Sequence, residues 1–201
     1  MKFINKSNTE PNNFTIWKNS ENRTYNDLRN PIKAELKDAL LLEQGNICCY
    51  CESRISSNNS HIEHLDPQQN NNGNDLDFNN LLCSCQKQLS AGEPRHCGNS
   101  KANDSISIHP LQNDCENKFI YKEDGTIEAT DNNSKKTIEC LKLDIDKLNA
   151  LRNSAIEPFI IDPITLDEIS EDEAKNFAAN YLQIKNGSYN EFHTTIKYLF
   201  S

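Results

Sequence analysis

The sequence lacks several features that would assign it to a familiar class of protein. Its 201 residues contain no apolar run approaching the ~20 residues with which a helix crosses a membrane. The first residues, MKFINKSNTEPNNF, contain no apolar segment of the kind that directs export, and no repeat with a period of roughly 20–50 residues is visible. Glycine is scarce, with six residues, and hydrophobic residues make up only 35 % of the chain. We therefore expect a globular protein of the cytoplasm, built as one domain or as one domain with a small appendage.

Positive charge is also in short supply. The chain has 21 Lys and Arg against 30 Asp and Glu, which gives a net charge of −9 at pH 7. Most of the acidic excess lies in residues 111–201, because residues 1–110 contain 11 basic and 13 acidic residues. Proteins that bind nucleic acid tightly on their own are normally basic. The composition therefore argues against a stand-alone nucleic-acid clamp, and it disfavours a regulator that binds DNA without cutting it.

Cysteine, in contrast, is abundant and clustered. The chain has eight cysteines, and six of them lie between residues 48 and 97. Because thiols stay reduced in the cytosol, a disulfide framework is not expected there, and close groups of cysteines indicate a metal site. Residues 46–110 also show little hydrophobic periodicity, so this segment needs a bound metal to hold it together.

The spacing of the cysteines predicts a structural zinc site. Cys48 and Cys51 form a Cys-x-x-Cys pair that presents two sulfurs to one tetrahedral ion. A redox dithiol has the same spacing, but the βαβ setting that it requires is not indicated by the surrounding sequence. Cys97 is a natural member of the second pair. Cys83 and Cys85 compete for the remaining place, since a Cys-x-Cys pair rarely sends both sulfurs to one ion.

Residues suited to phosphodiester hydrolysis lie between the two halves of this site. The carboxylate of Glu63 directly precedes His64, the pair Asn79-Asn80 follows, and a segment rich in His and Asn surrounds Cys97. A carboxylate with a second ligand can hold a divalent cation that polarises the phosphate. A neutral imidazole can take a proton from the attacking water, and an amide side chain can fix the orientation of that imidazole.

In this order the motifs resemble the HNH endonucleases, a family with a ββα-metal fold. The family pattern is Cys-x-x-Cys, then Asp/Glu-His, then Asn-Leu-x-x-x-Cys, then Cys-x-x-x-Lys. The chain matches it in four parts, which are Cys48/Cys51, Glu63-His64, Asn80-Leu81-x-x-x-Cys85 and Cys97-x-x-x-Lys101. The register of the resemblance favours Asn80 over Asn79 and Cys85 over Cys83. It implies that His64 and Asn80 are catalytic, that Glu63 binds Mg²⁺, and that zinc is held by Cys48, Cys51, Cys85 and Cys97.

The last part of the pattern departs from the family. Usual members carry a metal-binding His next to the final Cys or two residues beyond it, whereas this chain reads Cys97-Gly98-Asn99 and so has an HNN pattern. We predict Asn99 as the second Mg²⁺ ligand because Mg²⁺ prefers oxygen, with His96 as the alternative. Lys101 is a candidate phosphate contact, although a single basic residue on a helix is usually a solvated charge. His61 is assigned no role.

A narrower resemblance extends from about Gln44 through residue 127. The strings LLLEQGNICCYCESRI, IEHLDPQ, FNNLLCSCQ, HCGNSKAN and DCENKFIYKEDGTI are similar to the PtuB family, the HNH components of Septu and retron-linked anti-phage systems. This resemblance implies a nucleic-acid substrate, either DNA or RNA, and a partner ATPase of the ABC type, a PtuA homologue. A catalytically inactive zinc module that serves as an adaptor is the rival interpretation, which the missing terminal His motivates.

The predicted fold is α+β, with a zinc-stabilised ββα-metal core, flanking helices and a mainly helical C-terminal region. Three segments are expected to form one compact unit: an N-terminal arm and helix (1–45), a zinc-bound nuclease core (46–110), and a hairpin with a helical region (111–201). Residues 1–25 read as irregular. The pattern predicts a helix from Asn30 to Gly45, a hairpin turning at Asp124-Gly125, one helix over 137–156, a helix after a Ser170/Glu173 capping box that closes at Gly187, and a final helix through Phe200.

Overall fold

A computed structural model describes residues 1–6, 10–20, 22–70 and 73–201. Within these residues the chain folds as seven α-helices and two antiparallel sheets of two strands each, so the α+β prediction is confirmed. The helices are α1 (Asn12–Lys18), α2 (Ile32–Glu43), α3 (Gly98–Lys101), α4 (Asn132–Leu141), α5 (Asp146–Ile156), α6 (Glu171–Tyr181) and α7 (His193–Phe200). The strands are β1 (Ser60–His64), β2 (Leu81–Cys85), β3 (Phe119–Tyr121) and β4 (Ile127–Ala129).

The N-terminal part contains one helix that the sequence predicts and one that it does not. Helix α2 follows Pro31 and buries an apolar face against β2, as its periodicity predicts. Helix α1 lies in the stretch expected to be irregular. It has seven residues, begins after Pro11 and packs on α2, with Phe14 completely buried. A helix this short shows too few apolar positions for periodicity to reveal it.

The first sheet and the short helix α3 come together in the middle of the molecule. Strands β1 and β2 pair so that Glu63 lies opposite Leu82 and His64 opposite Leu81. Helix α3 lies against this hairpin, because the Gly98 amide donates to the Ser84 hydroxyl at 3.1 Å and the Lys101 ammonium to the His64 carbonyl at 2.9 Å. Two strands and one helical turn therefore surround the Glu63-His64 pair.

The second sheet is the predicted hairpin. Strands β3 and β4 pair antiparallel, and Gly125 takes a φ of +84° in the turn between them. Asp124 accepts the Thr126 amide at 2.9 Å, as a short acidic side chain does in such a turn. The Asp124-Gly125 turn prediction is confirmed.

The single helix predicted over 137–156 is wrong. Two helices, α4 and α5, occupy this stretch, and the chain leaves α4 at Lys142, which has a left-handed φ of +49°. The break is held by tertiary hydrogen bonds, because the buried guanidinium of Arg152 donates to the carbonyls of Leu143 and Gly125. As a result, Leu151, at the end of the predicted apolar stripe, is 42 % exposed.

The C-terminal helices follow the sequence signals more closely. The Ser170/Glu173 capping box is confirmed, since each residue bonds the backbone amide of the other. Helix α6 ends at Tyr181, six residues before Gly187, so the predicted end was wrong. Helix α7 is confirmed, and it joins α6 in a small apolar cluster separate from the main core.

The main core collects buried side chains from all three predicted segments. It includes residues of α2, of the cysteine-rich stretch, and of the second hairpin with α4 and α5. The charged side chains of the central site are therefore supported from several sides by apolar packing. In the part of the chain that the structure describes, none of the helices is long and apolar enough to span a membrane.

Candidate metal centre and active site

Four cysteine sulfurs meet at one buried point. Their Sγ atoms all lie within 4.8 Å of one another, and the Cys51 and Cys85 sulfurs are 3.8 Å apart. Thiolates around a tetrahedral zinc ion with bonds of about 2.3 Å are separated by roughly 3.8 Å. The donor set therefore fits zinc. The four residues are those that the family register selects, namely Cys48, Cys51, Cys85 and Cys97.

Backbone groups shape this centre and support its negative charge. The Cys48 amide donates to the Ser53 carbonyl at 2.9 Å, and the turn between them places Glu52 at a φ of +66°. The Cys85 amide points at the Cys48 sulfur at 3.4 Å. Burial raises the pKa of the Cys48 thiol, but hydrogen bonds from the surrounding thiols outweigh burial and hold that pKa well below its usual range. Cys48 is therefore prepared to act as a thiolate ligand.

Cys83 lies outside the centre. Its thiol donates to the Lys37 carbonyl of α2 at 3.8 Å. Burial raises the pKa of the Cys83 thiol to about 12, so it stays protonated at neutral pH. The side chain belongs to the apolar core between α2 and β2.

His96 lies beside the sulfurs and not beside Glu63. Its Nδ1 is 3.2 Å from the Cys97 sulfur and 3.7 Å from the Cys85 sulfur, and the residue is buried. Imidazoles that donate to ligand sulfurs commonly support a zinc site from outside the coordination sphere. His96 is the predicted alternative to Asn99 as a Mg²⁺ ligand. The structure places its Nδ1 at the cysteine sulfurs, and within the described residues it makes no hydrogen bond to Glu63.

The Glu63 carboxylate is anchored through one of its two oxygens. Oε1 accepts from the Tyr50 hydroxyl at 3.1 Å and from the Lys101 ammonium at 3.0 Å, while Oε2 faces His61 Nε2 at 3.5 Å. Burial raises the pKa of Glu63, but contacts with His61 and the charge of Lys101 outweigh burial and lower it. Glu63 is therefore a carboxylate with one oxygen left to bind a ligand.

His64 is held in the tautomer that a general base requires. Its Nε2 is 3.0 Å from the Asp75 carbonyl, and its ring meets the Tyr25 ring edge-on at 4.5 Å. A carbonyl only accepts, so Nε2 carries the hydrogen and Nδ1 of the neutral ring carries the lone pair. Burial lowers the pKa of His64 below its ordinary value, although Asp75 and Glu63 act in the opposite direction. The imidazole is therefore neutral at pH 7.

Asn80 fixes the loop around His64 and not the imidazole itself. Its Oδ1 accepts the Asp66 amide at 2.7 Å, and its Nδ2 donates to the carbonyls of Asp66 at 3.1 Å and Asn74 at 3.2 Å. Asn74 directly precedes Asp75, whose carbonyl holds the His64 ring. The amide therefore orients the predicted base through the backbone on either side of it.

Asn99 and Lys101 both make hydrogen bonds to protein groups. Asn99 Nδ2 donates to the Gln86 carbonyl at 2.7 Å and ties α3 to the loop after β2, and within the described residues this side chain makes no hydrogen bond to Glu63. Lys101 is 1 % exposed, and its ammonium lies between Glu63 Oε1 and the His64 carbonyl. Lys101 therefore holds Glu63 and the backbone of β1 in place. Because its ammonium is buried and already contacts two protein oxygens, its position does not support a phosphate contact.

Sequence reasoning missed three residues that contact the site. Tyr50 binds Glu63, the Asp75 carbonyl binds His64, and His61 faces Glu63 Oε2. A signal for His61 was present, because residues two apart on a strand lie on the same face of the sheet. Nothing in the sequence pattern pointed to Tyr50 or to Asp75. Tyr50 lies in the turn from Cys48 to Cys51, which we call the zinc knuckle, and Asp75 lies in the loop between β1 and β2.

Comparison with known proteins suggests that the chain is similar to a nuclease. No protein-family model matches the chain. A curated protein of Vibrio cholerae serotype O1 biovar El Tor, named "Retron Vc95 putative HNH endonuclease", is 26 % identical over 120 residues. The similarity supports the HNH family. The match spans 58 % of this chain and 58 % of that protein, so it suggests a nuclease without extending to the whole of either chain.

Proposed function

We propose that the protein is a metal-dependent endonuclease of HNH type that hydrolyses phosphodiester bonds in nucleic acid. The observation that carries the proposal is the hydrogen bond of His64 Nε2 to the Asp75 carbonyl, which leaves the lone pair on Nδ1. The nitrogen and the carbonyl oxygen are 3.0 Å apart, and the basic Nδ1 belongs to the residue next to the ionised Glu63. A base and a metal-binding carboxylate on one strand are the parts that this chemistry requires.

In the proposed reaction, His64 Nδ1 takes a proton from a water molecule as its oxygen attacks phosphorus. The phosphorus–3′-oxygen bond breaks, and its electron pair leaves with the 3′ oxygen, which takes a proton from solvent. The products are a 5′ phosphate and a 3′ hydroxyl. Asn80 contributes by holding Asp66 and Asn74 on both sides of the base, so the imidazole keeps one orientation.

Glu63 is proposed to hold a divalent cation through Oε2. A cation bound there supplies positive charge for the phosphate and for the developing charge on the leaving oxygen. The carboxylate fits this task because Tyr50 and Lys101 fix Oε1 and the nearby charge of Lys101 keeps Glu63 ionised. A fixed carboxylate loses little entropy when the ion binds.

The zinc centre is proposed to be structural. All four cysteines are buried, which leaves no open position for a substrate. Tyr50 stands between two of the cysteines and donates to Glu63, so the knuckle that zinc folds also positions the carboxylate. Zinc thus contributes folding free energy to the site without taking part in the chemistry.

We further propose that the protein acts as a PtuB-type effector of a bacterial anti-phage system with an ABC-type ATPase, a PtuA homologue. The retron named in the similar protein supports a defence context. The near balance of 11 basic and 13 acidic residues in 1–110 favours weak binding of nucleic acid by the chain alone. The partner is then expected to supply most phosphate contacts, and cleavage by the isolated chain should be much weaker than cleavage by the complex.

The experiment that tests the proposed activity uses the zinc-loaded chain co-expressed with an ABC-type ATPase of the PtuA family. Labelled DNA and RNA are incubated with the complex and MgCl₂ or MnCl₂. His64→Ala should abolish cleavage while zinc content and helicity stay unchanged, and His109→Ala serves as a histidine control outside the site. Full cleavage by a folded His64→Ala complex would favour the adaptor interpretation.

A further inference from the structure

Two side chains on β1 face the same point in front of the zinc knuckle. His61 Nε2 and Glu63 Oε2 are 3.5 Å apart, and the two residues alternate with Ile62 on the strand. A hydrogen bond between nitrogen and oxygen is normally about 2.9 Å long. Two neighbouring ligands of one divalent ion, each at about 2.1 to 2.2 Å, are separated by roughly 3.0 to 3.4 Å. The observed separation is long for a hydrogen bond and lies just above the spacing of a ligand pair.

Glu63 is buried, whereas His61 lies at the protein surface, so an ion can approach the pair from solvent. The Glu63 side chain is 9 % exposed and fixed from behind, whereas the His61 side chain is 27 % exposed at the rim. An ion can therefore reach Oε2 from the side of the imidazole. Oε1 is already taken by Tyr50 and Lys101, so Oε2 is the oxygen that remains for a cation.

Gly98 gives an independent indication that this space is kept for the pair. A Cβ at position 98 would lie 2.4 Å from Glu63 Oε2 and 2.8 Å from His61 Nε2. Gly98 begins α3 without a left-handed φ, so its backbone does not need glycine. The absence of a side chain there is explained by the two ligand atoms that face it.

The other candidates for a second ligand make their hydrogen bonds away from Glu63. Asn99 Nδ2 donates to the Gln86 carbonyl at 2.7 Å, and His96 Nδ1 lies 3.2 Å from the Cys97 sulfur. In the described part of the chain neither side chain hydrogen-bonds to the Glu63 carboxylate. Within the described residues, His61 is thus the side chain in contact with Glu63 Oε2 that can donate a lone pair to a metal.

We infer that His61 Nε2 and Glu63 Oε2 together bind one divalent cation, and that the site prefers Mn²⁺ to Mg²⁺. Mg²⁺ takes oxygen ligands almost exclusively, whereas transition-metal ions accept an imidazole nitrogen beside a carboxylate. The inference deepens the proposed nuclease function by replacing Asn99 with His61 as the second ligand and by naming the ion. The binding itself is measured without substrate.

The test titrates MnCl₂ into the zinc-loaded full chain and follows free Mn²⁺ by electron paramagnetic resonance. Loss of even a supporting residue costs a metal site 10- to 100-fold in affinity, so His61→Ala should weaken Mn²⁺ binding by at least about tenfold. Asn99→Ala should change the affinity by less than about twofold. Zinc content is measured for each variant as the check on folding.

A second variant decides the question if His61→Ala loses its zinc. His61→Asn keeps a short polar ligand but replaces nitrogen with oxygen, so the ratio of Mn²⁺ to Mg²⁺ affinity should fall by at least about tenfold. An unchanged ratio, or a His61→Ala variant that binds Mn²⁺ like the wild type, would overturn the inference. A tenfold weaker Asn99→Ala variant would do so as well.

The outcome for the metal site is distinguishable from the outcome for the nuclease. If Mn²⁺ binding depends on His61 but the complex cuts neither DNA nor RNA, the metal site stands and the proposed function fails. If the complex cuts and Mn²⁺ binding does not depend on His61, the proposed function stands and this inference fails.

Discussion

Tyr50, which lies between the cysteines of the zinc knuckle, donates a hydrogen bond to Glu63 Oε1 at 3.1 Å. The contact links the four-cysteine centre, which is proposed to hold structural zinc, to the carboxylate that is proposed to bind the catalytic ion. Both partners are buried, so the hydrogen bond is protected from competing water. The knuckle and the site are thus one structural unit.

Removing this hydroxyl should weaken the site without dismantling it. Tyr50→Phe leaves Lys101 as the remaining donor to Oε1, so we expect a loss of about 1 to 2 kcal/mol in unfolding free energy. Mn²⁺ affinity should fall several-fold because Oε2 is less well oriented. Both quantities are measured beside Tyr198→Phe, which removes a half-exposed hydroxyl and should leave them unchanged. Equal behaviour of the two variants would contradict the link.

The choice between Cys83 and Cys85 gives a matched pair of zinc variants. Cys85→Ser should lose zinc and loosen residues 46–110, because three thiolates bind zinc more weakly than four. Cys83→Ser should keep zinc, since that thiol faces the Lys37 carbonyl. Zinc content by mass spectrometry and protection from protease report the difference. If Cys83→Ser lost zinc and Cys85→Ser kept it, the assignment of Cys85 as the zinc ligand would be wrong.

A side chain at position 98 should displace the proposed ligand pair, His61 and Glu63, by steric clash. The added Cβ of Gly98→Ala would meet Glu63 Oε2 at 2.4 Å and displace the carboxylate or His61. We expect at least about tenfold weaker Mn²⁺ binding. Gly92→Ala is the control, because a Cβ at that position has no atom within 4 Å and the change costs only local backbone strain. An unaltered Mn²⁺ affinity in Gly98→Ala would speak against the pair as ligands.

Acid should destabilise the protein partly through Glu116. This carboxylate joins the N-terminal residues to α7, since it pairs with Lys2 at 2.7 Å and Lys197 at 2.9 Å. Burial raises the pKa of Glu116, but the two lysines outweigh burial and lower it to about 2 from an ordinary 4.5. A lowered folded-state pKa stabilises the fold above pH 4.5, and this contribution is lost as the pH falls toward 2.

The comparison of wild type with Glu116→Gln isolates that contribution. At pH 7 the variant should be less stable by about 1 to 3 kcal/mol, and the difference should shrink as the pH falls from 4.5 toward 2. Urea unfolding at a series of pH values measures it, and acid release of zinc affects both proteins alike. A difference that stays constant with pH would contradict the lowered pKa.

The pH dependence of cleavage follows from the environment of His64. Burial lowers the pKa of this imidazole below its ordinary 6.5, and the base acts when it is deprotonated. The rate should therefore rise with pH and reach half of its plateau below pH 6.5. Rates at fixed, saturating metal concentration test this, and a midpoint above pH 7 would contradict the neutral imidazole.

The sequence predicts the elements whose signals are local. Proline and glycine mark the ends of α2, the Asp124-Gly125 turn forms the hairpin, and the Ser170/Glu173 box starts α6. The order of motifs also selects the four cysteines that meet. The helix ends, the turn and the capping box depend on residues close together in the chain, whereas the cysteines are selected by the order of motifs over residues 48–97.

Features decided by distant contacts could not be predicted in the same way. Arg152 holds the break between α4 and α5 from the following helix, which no periodicity within 137–156 reveals. Asn99 turns toward Gln86 because of the loop that precedes α3, so its spacing from Cys97 does not settle its ligand role. His61 was accessible to sequence reasoning, since it shares a strand face with Glu63.

The most direct test of the account is the chemistry of the cleaved ends. The complex with the proposed ATPase partner is incubated with labelled nucleic acid and Mn²⁺, and the product termini are determined by enzymatic end-labelling and sequencing. We expect 5′-phosphate and 3′-hydroxyl ends that require the metal and disappear in a folded, zinc-loaded His64→Ala complex. Identical products from that variant, or no products from the wild type under any of these conditions, would contradict it.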